Sequence, residues 1–248
     1  MSLRLSGGRK LQSPPGDRAR PTAARVRLAV FNRLAPRLSG CRWLDLCSGS
    51  GVMACEALQH GASLVIAVEQ DRRIAQVARA NLAAVASGLH DPGEWRLDHQ
   101  DAQQWLSGPS QNKPRLQRNG LQRNGLQQKL LERNTLELKE LERAGLQRKA
   151  LEHHSDAGPA GRADGFDLIY LDPPYAAGLY EPLTLAVQAG DWLNPDGLLL
   201  WECARSGVPD VPPGFELQDR RRYGATEVVT LQLSCRAGCR GDTDSRLQ

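Results

Sequence analysis

"WLDLCSGSGVMACEAL", residues 43 to 58, decides the fold. Trp43 to Leu46 has the composition of a buried strand, Gly49 and Gly51 permit a sharp turn with close backbone approach to a ligand, and a helix opens after them. Strand, tight glycine loop and helix, in that order, begin an alternating α/β chain. Working outward, helices are expected over 22–35, 52–60 and 72–87, and strands over 42–46 and 64–69. A short strand near 95–98 and a short helix over 102–106 follow. Later come a strand over 166–171, a helix over 179–190 and a strand over 197–202. Two last strands, near 215–222 and 226–233, are joined by Tyr223-Gly224-Ala225 as an antiparallel hairpin. The alternation predicts a mostly parallel seven-stranded sheet with helices on both faces and a C-terminal antiparallel hairpin. A ligand belongs at the carboxyl ends of the strands, near the point where strand order reverses.

Residues 107–163 break this rhythm. Leucine recurs at 116, 121, 126, 131, 136, 141, 146 and 151 in a background rich in Gln, Arg, Asn and Glu. On an α-helix a step of five residues advances about 140°, so these leucines spread around every face and form no coiled-coil seam. A square β-helix built on five-residue repeats wants small residues two positions before each leucine. Here those positions hold Asn119, Asn124, Lys129, Asn134, Lys139, Ala144 and Lys149. A flexible, low-complexity surface insertion is expected, with an accessory RNA-contacting arm as the alternative.

Composition fits a globular protein: 248 residues, 40% hydrophobic and 24% charged, enough for one sizeable core. No signal-peptide run opens the chain and no stretch approaches eighteen apolar residues, so a cytoplasmic protein with no membrane association is expected. The six cysteines, Cys41, Cys47, Cys55, Cys203, Cys235 and Cys239, are then expected as free thiols. Cys235 and Cys239 lack a second Cys or His pair for zinc, so no metal site is expected.

The net charge of +4 conceals an asymmetry. Residues 1–42 carry ten basic residues and one acid, whereas 43–112 carry four and eight; 113–153 are basic again, and 154–248 have eight basic residues against fourteen acids. An acidic body with a basic N-terminal arm suits a polyanionic partner, since each Lys or Arg that neutralises a phosphate releases a counterion. Arg4, Arg9, Lys10, Arg18 and Arg25 are the candidate contacts. A solvated arm that only aids solubility is the plainer alternative.

Read alone, G-S-G-V-M-A also fits a dinucleotide fingerprint, with Glu69 at a suitable distance, so a nicotinamide enzyme competes. Asp45 argues against it, because a carboxylate just before the loop repels a pyrophosphate but pairs with an ammonium group. S-adenosylmethionine has the required cationic end. The expected binding set is Asp45, the loop residues Cys47, Ser48, Gly49, Ser50 and Gly51, then Glu69 with Gln70 at the ribose, and Asp101 with Ala102 at the adenine. As plain structure, Asp101 is an N-cap for the helix beginning "AQQW".

"YLDPPY", residues 170 to 175, sends a buried strand directly into an acid, two prolines and an aromatic ring. The prolines fix φ at two successive positions and stiffen the loop. Asp172 and the Pro173 carbonyl are suited to accept hydrogen bonds from an exocyclic amino group, Pro174 holds the turn, and Tyr175 is suited to stack on the base bearing that group. The four form the candidate catalytic set; as plain structure, D-P-P-Y is a turn.

Glycine loop and D-P-P-Y together resemble the amino-methylating class of S-adenosylmethionine-dependent methyltransferases, with a Rossmann-like fold. Within it, "LSGGRKLQSP" (5–14), "RPTAARVRLAVFNRL" (20–34), "VEQD" (68–71), "FDLIYLDPPY" (166–175) and "RRYGATEVVTLQL" (221–233) resemble the RsmD-type family of small-subunit (16S) rRNA guanine-N2 methyltransferases. The resemblance spans nearly all of the chain outside 107–163 and the tail after 234. It implies a basic arm over 1–21, a cofactor half over 22–106, the insertion, a catalytic half over 164–234 and a flexible tail over 235–248. It further implies Arg20 and Thr22 at the mouth of the cofactor site, S-adenosyl-L-methionine as cofactor, and small-subunit rRNA or the assembling subunit as partner of a monomer. Arg25 and Arg27 are expected at RNA phosphates or at acids of the domain itself. Three departures stand out: a shorter stretch between "SGG" and "RKL", Leu28 where the family commonly has Glu, and the long insertion. The alternatives are the same chemistry on DNA adenine or protein glutamine, and a non-catalytic RNA-binding ribosome assembly factor; the latter predicts a damaged glycine loop or D-P-P-Y, and both are intact.

Overall fold

The computed structural model describes residues 3–14, 23–108, 165–174 and 177–234. The insertion from 109, the tail, Arg18, Arg20, Thr22, Tyr175, Cys235 and Cys239 lie outside the described residues.

Among the described residues, five α-helices and seven strands follow in the order α1 (Ala24–Leu38), β1 (Arg42–Leu46), α2 (Val52–Gln59), β2 (Leu64–Glu69), α3 (Arg72–Ala86), β3 (Glu94–His99), α4 (Ala102–Ser107), β4 (Phe166–Leu171), α5 (Tyr180–Ala189), β5 (Leu193–Ala204), β6 (Phe215–Tyr223) and β7 (Thr226–Leu233). The sheet order is β3-β2-β1-β4-β5-β7-β6. β1 to β5 pair in parallel, while β7 runs antiparallel between β5 and β6. The expected seven-stranded sheet and C-terminal hairpin are therefore present. Strand order reverses between β1 and β4, which lie side by side.

Period-two alternation sends each central strand's residues to two cores. Trp43, Val65, Ala67 and Leu168 pack with α1, α2 and α3, whereas Leu44, Leu46, Ile66, Val68 and Ile169 pack with α4 and α5. Trp43 is the hub of the first core, stacking on Phe31 at 5.4 Å and on Tyr170 at 6.0 Å. Trp105 against Trp192 at 4.8 Å anchors the second.

Two boundaries depart from expectation. α1 runs to Leu38 with Pro36 inside its last turn. β5 begins at Leu193 rather than 197: Asn194-Pro195-Asp196-Gly197 has turn composition, yet Leu193 pairs with Phe166 before a register shift resumes pairing at Leu198.

The N-terminal arm docks on the first core. Leu3, Leu5 and Leu11 are buried, each worth on the order of 1.5–3 kcal/mol. Leu5 N donates to Arg9 O and Leu11 N to Leu3 O, closing a small hairpin-like loop. Beneath it, fully buried Glu56 accepts from Ser6 N at 2.8 Å, Ser6 Oγ at 2.6 Å and Arg27 Nε at 2.8 Å. Arg27 thus meets an acid of the domain, and its guanidinium also donates to the Arg4 carbonyl.

Candidate active site

The loop after β1 turns through three left-handed residues: Cys47 at φ 60°, Gly49 at φ 54° and Gly51 at φ 73°. Sequence composition marks the two glycines; Cys47 carries no such signal, since a side chain in this region is uncommon. Gly51 is needed twice over, because an added Cβ would sit 3.1 Å from Ala78 Cβ on α3. The loop is tied to its neighbours by Ser48 N donating to Val68 O and by Asn81 Nδ2 donating to Ser50 O. Asn81 also exchanges two hydrogen bonds with the Gln12 backbone, so one side chain joins the arm to the loop.

Four acids stand at the carboxyl ends of four adjacent parallel strands: Glu69 on β2, Asp45 on β1, Asp172 after β4 and Glu202 on β5. All line one cavity of about 760 Å³, together with Cys47, Gly49, Asp101, Ala102 and Pro173, a volume suited to a small ligand. Ser48, Ser50, Gln70 and Pro174 also line it, and the hairpin contributes Ala225 and Thr226. Of the described binding and catalytic residues expected from sequence, Gly51 alone is absent from the walls; it sets the turn and the helix contact behind them. No Lys, Arg or His is among the described lining residues, so the cavity is strongly acidic.

Each carboxylate is held by local structure. Asp45, almost wholly buried, accepts from Ala54 N in the first turn of α2 at 3.1 Å. Burial pushes its carboxyl up to about 8 against that bond, with Glu69 and Glu202 adding repulsion. Glu69 accepts from Gly49 N at 2.9 Å and Asp71 N at 2.8 Å; burial still raises it. Asp101 caps α4 by accepting from Gln104 N at 3.0 Å while lining the cavity, so its plain structural role and its expected site position coexist. Asp172 is raised well above the carboxylate range by burial first, then by Glu202 and Asp45. The Cys47 thiol is pushed up to about 12 by burial and the surrounding acids, which keeps it unreactive.

Glu202 and Tyr170 were not among the expected site residues. The signal for Glu202 was an acid interrupting the apolar run "LLLWECA". Its carboxylate accepts from Tyr170 Oη at 2.5 Å.

The described basic residues expected at RNA have partners within the chain. Arg4 donates to Gly8 O, Arg9 to Ala84 O and Arg25 to Tyr223 O, while Lys10 forms a backbone bridge with Arg4. Arg9 therefore also pins the arm to α3. Among the described residues no group of three or more His, Cys, Asp or Glu is placed to hold a metal ion, and no helix is long and apolar enough to cross a membrane.

This sheet order, with a glycine loop at β1 and an acidic cavity over the strand ends, is the Rossmann-like methyltransferase fold. Solved structures share the fold. Escherichia coli yhhF superposes with a TM-score of 0.63 at 24% identity, covering 95% of this chain and 100% of that one. HI0767 of Haemophilus influenzae gives 0.60 at 20%, covering 94% and 99%. Ribosomal RNA small subunit methyltransferase D of Escherichia coli K12 is 24% identical over 218 residues, 88% of this chain and 81% of the relative. The chain belongs to the family described as "Conserved hypothetical protein 95", whose family model matches residues 5–117 and 121–232, and is a methyltransferase of the RsmD type.

Proposed function

We propose that the chain is an S-adenosylmethionine-dependent methyltransferase acting on the exocyclic N2 amine of a guanine in small-subunit (16S) rRNA. The observation that carries this reading is the acidic cavity joining the glycine loop to the D-P-P loop, with no cation among its described walls. Such a cavity rejects a pyrophosphate and favours a ligand bearing positive charge.

The residues fit the cofactor. Asp45 and the buried Ser48 hydroxyl, which has no hydrogen-bond partner, face the cavity as acceptors for an ammonium group. Glu69 keeps lone pairs beyond its two backbone bonds for ribose hydroxyls. Asp101 and Ala102 would meet the adenine. When bound, the cofactor supplies a methyl group made electrophilic by its sulfonium.

The chain's own work is on the amine. Guanine N2 is a poor nucleophile because its lone pair is delocalised into the ring. Asp172 and the Pro173 carbonyl accept its two hydrogens and favour a pyramidal nitrogen aimed at the methyl. Asp172 then takes the proton that the amine loses. Positive charge in the cavity offsets the repulsion from Glu202 and Asp45 and so favours the carboxylate form of Asp172 against the burial that raises it. Tyr175 would stack on a base swung out of its helix, which loops and junctions of rRNA permit at low cost.

The relative named as a small-subunit rRNA methyltransferase and the basic arm support rRNA over DNA or protein. The test is transfer of labelled methyl from S-adenosylmethionine, offering small subunits from a methylation-deficient strain beside naked rRNA, DNA and total protein. Label confined to rRNA is expected; label confined to DNA or protein overturns the substrate.

A further inference from the structure

We propose that Glu202 is a positioning residue that clamps both ends of the D-P-P loop. This rests on the reading above, in which that loop orients the amine.

The loop leaves β4 after Leu171 and enters α5 at Tyr180. The residue on its near side, Tyr170, donates its hydroxyl to Glu202 Oε2 at 2.5 Å. The residue on its far side, Tyr180, donates its hydroxyl to the Glu202 carbonyl, also at 2.5 Å. One residue of β5 therefore receives both flanking tyrosines, through its side chain and its backbone. Each ring is fixed in turn, Tyr170 against Trp43 at 6.0 Å and Tyr180 against Trp201 at 5.7 Å.

A carboxylate at a 4% exposed strand position is costly to bury and is retained only with strong partners. Its neighbours Leu199, Leu200, Trp201 and Cys203 show that this half of the strand otherwise takes apolar residues. Proline stiffness fixes the inside of the loop but not where the loop stands; two buried tethers to one rigid strand supply that. A displacement of about 1 Å in an orienting group lowers turnover by about 100-fold, so a clamp on both ends bears directly on rate.

The test combines kinetics, binding and amide exchange on the full chain. Tyr170→Phe and Tyr180→Phe are expected to lower kcat about 10- to 100-fold, with cofactor Kd and RNA KM within about twofold of the parent. Glu202→Ala is expected to match Tyr170→Phe in kcat while also weakening cofactor binding, because it removes a cavity acid, and Glu202→Gln to restore most of the kcat loss because its amide oxygen still accepts from Tyr170. The Tyr170→Phe/Glu202→Ala double variant should be no worse in kcat than either single one. Deuterium uptake by the 171–180 segment should rise in each phenylalanine variant, and this readout needs no turnover. Faster exchange with no transferase activity in the parent keeps the clamp and sinks the assigned function. Unchanged exchange, additive double-variant losses, or losses falling wholly in cofactor Kd overturn the clamp. Tyr180→Phe leaves the Glu202 carboxylate and its hydrogen bond to Tyr170 in place, so it tests the far tether even if Glu202→Ala fails to fold.

Discussion

Glu69 accepts the backbone amide of Gly49 at 2.9 Å, joining the end of β2 to the glycine loop of β1. Through its other oxygen it holds Asp71 N, the N-cap of α3. One carboxylate thus shapes the loop as well as lining the cavity. Glu69→Ala leaves the Gly49 amide without its partner and is expected to weaken S-adenosylmethionine binding about 10- to 100-fold, from loss of roughly 1.5–3 kcal/mol. Isothermal titration checks it; Glu69→Gln, which keeps one acceptor, should lie between.

The two loop glycines should separate stability from binding. Gly51→Ala brings a Cβ 3.1 Å from Ala78 Cβ in a left-handed conformation and should cost about 2–3 kcal/mol in chemical denaturation. Gly49→Ala has the same backbone difficulty but meets no atom within 4 Å. It should cost only about 1–2 kcal/mol, with its main effect on cofactor affinity, because Gly49 lines the cavity.

Asp45 gives a pH dependence whose sign is fixed. Its carboxyl titrates at about 8 in the folded chain and at 3.8 when unperturbed. Between those values the folded state binds more protons than the unfolded state, so this group makes stability fall as pH rises from about 4 to about 8. Asp45→Asn should therefore be more heat-stable than the parent at pH 8, by a few °C, with the gap closing toward pH 4. Binding moves oppositely: a cation favours the charged form, so parent cofactor affinity should rise with pH up to about 8 with proton release, and Asp45→Asn should lose that trend. Titration calorimetry in buffers of differing ionisation enthalpy measures both.

The arm is expected to be held by Glu56. Glu56→Ala removes the carboxylate paired with buried Arg27 and both Ser6 bonds, which should cost about 3–5 kcal/mol. Trypsin should then cleave after Arg4, Arg9 or Lys10 far faster than in the parent under native conditions. Unchanged protection would mean that the buried leucines, with the Asn81 and Arg9 tethers, hold the arm without Glu56.

Much of this architecture is legible in the residues. β1, β2 and β4 begin and end where their apolar runs do, because strands buried on both faces leave little freedom in composition. Asp45, Glu69 and Asp172 stand out as acids at the ends of those runs, and all three reach the cavity. β5 is less legible: Asn194-Pro195-Asp196-Gly197 favours a turn locally, and only pairing with β4 overrides it. Glu202 stands out only as an acid in an apolar run; its role is not legible, since its partners Tyr170 and Tyr180 are 32 and 22 residues away. The arm's charge points outward to a polyanion, while its three leucines, Leu3, Leu5 and Leu11, are too few among Ser, Gly, Arg and Lys to signal that they dock. Asp45 also serves α2 through Ala54, a bond that composition cannot reveal.

The central claim is tested most directly by identifying the methylated nucleoside. Small subunits from a methylation-deficient strain are incubated with S-adenosylmethionine and either the parent chain or Asp172→Ala, and the rRNA is digested and analysed by mass spectrometry. The account predicts N2-methylguanosine with the parent, reduced by at least about 100-fold with Asp172→Ala. A different methylated base, or N2-methylguanosine at equal yield from Asp172→Ala, would contradict it.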